Sequence, residues 1–255
     1  MKIKINSKYK LSQIKLNYNC PESEKVGSGP GSCSDNKSEL MLSDLKLHPA
    51  KITSLGTSKF GSSGKMKFEK FNIQFPNASS NIAIRVPISD SKAAPRLART
   101  LASIPPKLAT TIKSFILTDQ PDKTDTIASK QYGKSFTTAA SFNPVSHSIT
   151  FFGDNGYIAS ISRDILIHEL VHSMDTKLGQ ISRSDEYKQA VELDTKLSKR
   201  SEFTSSYARD SYKVKPNDPL EEDMADGIPL YLKDKEKFSG RYPNRAKFYE
   251  KLLGD

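Results

Sequence analysis

Apolar and polar positions alternate in two early stretches of this chain, Phe68 to Phe75 and Ile82 to Ile88, with the period of a half-buried strand. The rhythm then changes. Between Ala94 and Ile104 the apolar residues Leu97, Leu101 and Ile104 share one helical face, and Pro105-Pro106 ends that helix. Leu108 to Ser114 predicts a second helical stretch, and Phe115-Ile116-Leu117 a short buried strand. Ser135 to Phe142 and Ser148 to Phe152 predict two strands around Asn143-Pro144, a hairpin, followed by a turn at Asp154-Asn155-Gly156. From Ile165 to Met174 apolar residues surround the axis on nearly every side, which marks a buried central helix. Ser162 is its expected N-cap, Asp164 suits its dipole, and Gly179 stands where the C-terminal cap belongs. The order of helices, strands and helices predicts an α+β domain.

Residues 1–65 read as loop. Gly27-Ser28-Gly29-Pro30-Gly31-Ser32 is a flexible-linker pattern, Gly61-Ser62-Ser63-Gly64 repeats it, and only Met41 to Leu47 offers a helical turn or two. The chain is therefore expected to divide near residue 85, with the two alternating stretches that begin before it leaving room for the ordered part to begin earlier. A polar, Lys- and Ser-rich segment, largely disordered, would span 1–85, and the folded domain 86–255.

Composition sharpens this division. The chain has 255 residues, 36% of them hydrophobic and 27% charged, with two Cys and no Trp, which excludes collagen, a coiled coil and a disulfide scaffold. No window approaches the roughly 18 apolar residues of a membrane span. Met1 to Asn19 lacks the apolar core of a secretory signal. Residues 1–80 carry 13 Lys and 6 acidic residues, so +7 of the net charge of +10 lies in the first third. Such an arm could meet nucleic acid, an anionic membrane or an acidic partner. Cys20 and Cys33 could close one short loop or stay as thiols. Two thiols with His48 as the nearest imidazole do not make a zinc site.

The chemistry sits on the central helix. His168 and His172 lie four apart, one turn above each other, so both imidazoles can reach one cation at about 2 Å. Glu169 adjoins the first histidine and is expected to face the same opening. This is the H-E-x-x-H arrangement, two zinc ligands and a general base for water. With four His in the chain it is expected by chance about 0.003 times. A catalytic zinc needs a third protein ligand, and the candidates lie between Asp218 and Asp226. Asp218 reads as an N-cap, Pro219 as the first helical residue, and Glu221 completes a capping box. Glu222 is then the expected ligand, with Asp226, four residues on, orienting a histidine. Asp175 and Asp194 are weaker ligand candidates.

Three stretches together resemble the catalytic domain of the anthrax lethal factor-like metallopeptidases, a family that includes the Pro-Pro endopeptidases. They are His168-Glu169-Leu170-Val171-His172-Ser173-Met174-Asp175, Ser206-Tyr207-Ala208, and Glu222-Asp223-Met224-Ala225-Asp226. The resemblance covers roughly residues 95–255, and Arg241-Tyr242-Pro243 with Phe248 and Leu252-Leu253 looks like the family's closing helix. Asp226 stands where the family more often has Glu, and Gly227 and Pro229 are expected to interrupt the second helix. The resemblance implies a zincin-like fold with a small sheet and a central H-E-x-x-H helix. It also implies a zinc endopeptidase of the gluzincin type. His168, His172 and Glu222 would bind one Zn2+ per chain, and Glu169 would be the base. Tyr207 would hydrogen-bond the substrate oxyanion, with Tyr212 as its substitute.

The expected partner is a protein or peptide substrate. An extended substrate would pair with a sheet edge, for which Thr137 to Ser141 is the expected strand. No nucleic-acid-binding motif appears. Two rival readings stand beside the peptidase. One is a zinc-stabilised binding module without turnover, and the other a nucleic-acid or membrane binder using the basic arm. The family resemblance, with a Ser- and Lys-rich start, suggests a bacterial toxin or effector, secreted or translocated into a host cell by a non-Sec route. Otherwise the protein is expected to be cytoplasmic.

Overall fold

A computed structural model describes residues 51–60, 66–74, 81–87, 90, 92–123, 125–126, 137–154, 157–158, 161–198, 203–206, 208–209 and 219–254. Cys20, Cys33, the Met41–Leu47 stretch, Tyr207, Tyr212 and Asp218 lie outside them.

The architecture is α+β and built on one six-stranded mixed sheet. Strands β1 (Lys51–Phe60), β2 (Met66–Gln74) and β3 (Ile82–Pro87) form an antiparallel meander. Helices α1 (Ala93–Ala102) and α2 (Pro106–Ala109) cross over to β4 (Ser114–Leu117), which is parallel to β3. β5 (Ala140–Asn143) and β6 (Ser148–Phe151) make the expected hairpin, and β6 runs parallel to β4. The spatial order β1-β2-β3-β4-β6-β5 leaves β5 on one edge. A separate two-stranded ladder, β7 (Gly153–Asp154) with β8 (Tyr157–Ile158), follows. The longer elements that follow are helices: α3 (Arg163–Lys177), α4 (Asp185–Ser198), α5 (Pro219–Lys233), α6 (Lys235–Arg241) and α7 (Pro243–Leu253).

The core follows from alternation and helical spacing. Ile82, Ile84 and Val86 point from β3 into the interior, where Phe115 and Leu117 of β4 and Ile149 and Phe151 of β6 meet them. Leu97 and Leu101, one turn apart on α1, cover the same layer.

Four expectations are corrected. Residues 51–60, read as loop, form strand β1; its polar residues from Lys51 to Thr57 face solvent, and pairing with β2 supplies what its side chains do not. The sheet therefore crosses the division expected at residue 85, because β3 is hydrogen-bonded to β2 on one side and to β4 on the other. The second helical stretch shrinks to the four residues of α2. Finally, α5 runs unbroken through Gly227 and Pro229. No helix among the described residues is long and apolar enough to cross a membrane.

Candidate metal centre

Helix α3 carries the H-E-x-x-H residues into the middle of the molecule, where every residue from Leu166 to Asp175 is buried. Ser162 holds the N-cap position with extended backbone (φ −64°, ψ 135°), but its side chain makes no capping bond. The other end closes as expected. Gly179 takes the left-handed conformation (φ 76°), which a Cβ would penalise. Gln180 N then donates to Asp175 O at 2.7 Å, completing a Schellman-type stop.

Helix α5 packs on α3 and brings its acids to the histidines. His168 Nε2 and His172 Nε2 lie 3.0 Å apart, and Glu222 Oε2 is 3.5 Å from each. The opposite nitrogens face carboxylates: His168 Nδ1 is 2.8 Å from Asp226 Oδ1, and His172 Nδ1 is 3.2 Å from Glu221 Oε1. An Nδ1 beside a carboxylate carries its proton, which turns both Nε2 lone pairs toward each other and toward Glu222. Two lone pairs and a carboxylate oxygen converging in a buried place repel unless a proton or a metal cation lies between them. A tetrahedral ion 2.0–2.1 Å from each donor would set the donors roughly 3.3 Å apart, and 3.0, 3.5 and 3.5 Å straddle that value. His168, His172 and Glu222 could therefore hold a metal ion.

The sequence reading assigned Glu221 to a capping box with Asp218, which lies outside the described residues. Its carboxylate faces His172, so each histidine has its own acidic neighbour. The run Glu221-Glu222-Asp223 with Asp226 was the available signal. Four acids within two turns exceed what a helix dipole needs, and all four are buried. Asp175 and Asp194 are engaged by other partners. Asp175 accepts from Ser182 N at 2.7 Å, and Asp194 takes both the backbone and the guanidinium of Arg245. Glu169 is fully buried on α3.

The electrostatics of the metal-free residues follow the same geometry. Burial alone would lower His168, but hydrogen bonds to Asp226 and Glu222 outweigh it and raise its pKa to about 9. His172 is likewise pulled down by burial yet pushed well above its ordinary value by Glu222 and Glu221. Burial would raise Glu222; the histidines beside it, His172 foremost, hold it well below the usual carboxylate range.

A second chain segment closes on α5. Thr204 N donates to Asp223 Oδ1 at 2.5 Å, and Ser205 Oγ donates to Asp226 Oδ2. Asp223 also faces Arg245, whose Nη1 is 2.8 Å from Oδ2, and accepts from Tyr187 Oη. No pattern in residues 203–209 announced these ties, because their partners stand 19 and 21 residues further on.

No family model and no curated protein sequence matches this chain.

Proposed function

We propose that this protein is a zinc-dependent endopeptidase. One observation carries the reading: two imidazoles and a carboxylate converge from α3 and α5 on one point, and Glu169 directly follows His168 on the same helix. The donor set of two nitrogens and one carboxylate oxygen suits zinc with a position left for water or substrate. Held there, zinc supplies Lewis acidity toward a scissile carbonyl and lowers the pKa of water toward about 7. Asp226 and Glu221 hold the two rings in the tautomer that presents Nε2. Glu169 takes a proton from the attacking water as its oxygen bonds to the carbonyl carbon. It returns that proton to the amine as the carbon–nitrogen bond breaks. By the resemblance, Tyr207 donates its hydroxyl to the developing oxyanion. A peptide substrate in extended form would add to β5, an edge strand among the described residues. Export by a non-Sec route into a host cell belongs to the same proposal and rests on resemblance and composition alone.

The burial of Glu169, His168, His172 and Glu222 favours a second reading, a metal-stabilised binding module without turnover. The two part on one experiment. Metal content is measured on the purified protein and on Glu169→Ala, and both are incubated with a peptide library. One zinc per chain in each, with cleavage by the unmutated protein alone, is the expected result. Zinc in both with cleavage by neither supports the binding module. Absence of zinc from both removes both readings and returns attention to the basic N-terminal arm.

A further inference from the structure

The carboxylate of Asp226 has two oxygens and two partners. Oδ1 lies 2.8 Å from His168 Nδ1, and Oδ2 accepts the hydroxyl of Ser205. Ser205 Oγ in turn accepts from Ala208 N at 3.0 Å. A continuous chain therefore runs from the backbone of residue 208 through Ser205 and Asp226 to a histidine of the metal centre. One residue earlier, Thr204 is fixed twice. Its N–H reaches Asp223 Oδ1 at 2.5 Å, and its hydroxyl donates to the carbonyl of Asp223 at 3.1 Å.

Asp223 is not free to shift. Arg245 Nη1 lies 3.0 and 2.8 Å from its two oxygens, and Asp194 takes Nε of the same guanidinium at 3.1 Å. All three side chains of this ion network are excluded from solvent. The network anchors the rear of α5, and Thr204 borrows that anchor. Ser205 is thereby delivered to the front of the helix, where the Asp226 carboxylate needs a donor on its outer oxygen.

From this geometry we infer that Ser205 is a positioning residue of the metal centre, fixing the Asp226 carboxylate and through it the ring of His168. A carboxylate bonded on one oxygen can swing about its Cβ–Cγ bond. A second bond, to a hydroxyl that the backbone of Ala208 itself holds, removes that freedom. Removing an acidic neighbour of a metal-binding histidine weakens metal affinity about 10- to 100-fold, and a group one bond further out acts in the same direction at the lower end of that range. The inference rests on the metal reading above but not on turnover.

The test is metal affinity and cobalt spectroscopy on the full chain. Zinc affinity is measured by chelator competition for the unmutated protein, Ser205→Ala, Ser205→Thr and Ser205→Val, with melting of the metal-free proteins as the control on folding. Ser205→Thr keeps the hydroxyl and should retain affinity. Ser205→Ala and Ser205→Val should bind about tenfold more weakly, with the visible cobalt bands shifted. Thr and Val differ at this position by the hydroxyl alone, so their comparison decides the matter even if Ser205→Ala melts early. Equal affinities and superimposable cobalt spectra for Thr and Val would overturn the inference and leave Ser205 as a turn cap for Ala208. Failure of the unmutated protein to bind zinc or cobalt would overturn it together with the metal reading.

Discussion

At Glu221 two demands compete for one carboxylate. Its place in the first turn of α5 suits a cap, yet its oxygen stands 3.2 Å from His172 Nδ1. Glu221→Ala should therefore weaken zinc binding about 10- to 100-fold in chelator competition, and Glu221→Gln, which keeps an acceptor, should lose less. Unchanged affinity in Glu221→Ala would mean that the contact does not orient the ring. Asp175 gives a prediction in pH. Burial raises its pKa above the ordinary 3.8, against the pull of the Ser182 N–H, and nearby Glu221 adds to the rise. An acid whose folded pKa is raised has its charge disfavoured in the folded state. That penalty is absent below the unfolded value and grows as pH climbs through the raised one. Asp175→Asn, which retains an acceptor for Ser182 N, should gain melting temperature relative to the unmutated, chelator-treated protein at pH 7. The gap should narrow as pH falls toward 4 and below. A gap independent of pH would show that Asp175 is not ionised against its surroundings.

Elements tell which local signals survived contact with the fold. Helix α3 was legible because its apolar run, its first-turn acid and Gly179 all agree. Its two histidines were legible for the same reason, since helical spacing alone puts them together. Helix α5 was legible only at its start. Pro229 and Gly227 argue locally for a break, but Met224, Ala225, Ile228 and Tyr231 are buried and hold the helix straight through them. Strand β1 was not legible, because its Ser, Thr and Gly residues carry no apolar alternation and its order comes from hydrogen bonds to β2. The ties of Thr204 and Ser205 were invisible for a third reason: they are made to side chains of another element. Gly227 converts this contrast into a test. A Cβ there would overlap the hydroxyl of Tyr249 and come within 3.2 Å of its Cζ. Helix propensity alone favours Gly227→Ala by about 1 kcal/mol. Overpacking against Tyr249 costs about 1–3 kcal/mol, so the variant should be less stable in denaturant unfolding. Tyr249→Phe in the same chain removes the overlapping oxygen and should recover part of the loss. It cannot recover all of it, because Tyr187 Oη, 2.9 Å from the Tyr249 hydroxyl, then loses a partner. A stabilising Gly227→Ala would place α7 further from α5 than described.

For the whole molecule, the question is where the folding unit begins. Composition put the division near residue 85, since charge and Gly-Ser patterns cluster before it. Hydrogen bonding puts it earlier: β3 joins β2 to β4, so the meander and the crossover unit share one sheet. Among the described residues, every buried hydrophobic side chain lies at Phe68 or later. Six of them, Phe68, Phe71, Ile73, Ile82, Ile84 and Val86, belong to β2 and β3. Burying each contributes about 1.5–3 kcal/mol, so together they supply roughly 9–18 kcal/mol. A domain's whole net stability is about 5–15 kcal/mol. Removing residues 1–85 deletes five of the six, all but Val86, or roughly 7.5–15 kcal/mol, which is as much as the fold has to spare, and it takes away the β3 residues paired with β4. A chain of residues 51–255 should melt cooperatively and bind zinc as the full chain does. A chain of residues 86–255 should be unfolded by circular dichroism and bind no zinc at the affinity of the full chain, because its histidines and Glu222 are no longer held together. Should the shorter chain fold and bind, the meander would be an appendage to the metal centre rather than part of its support.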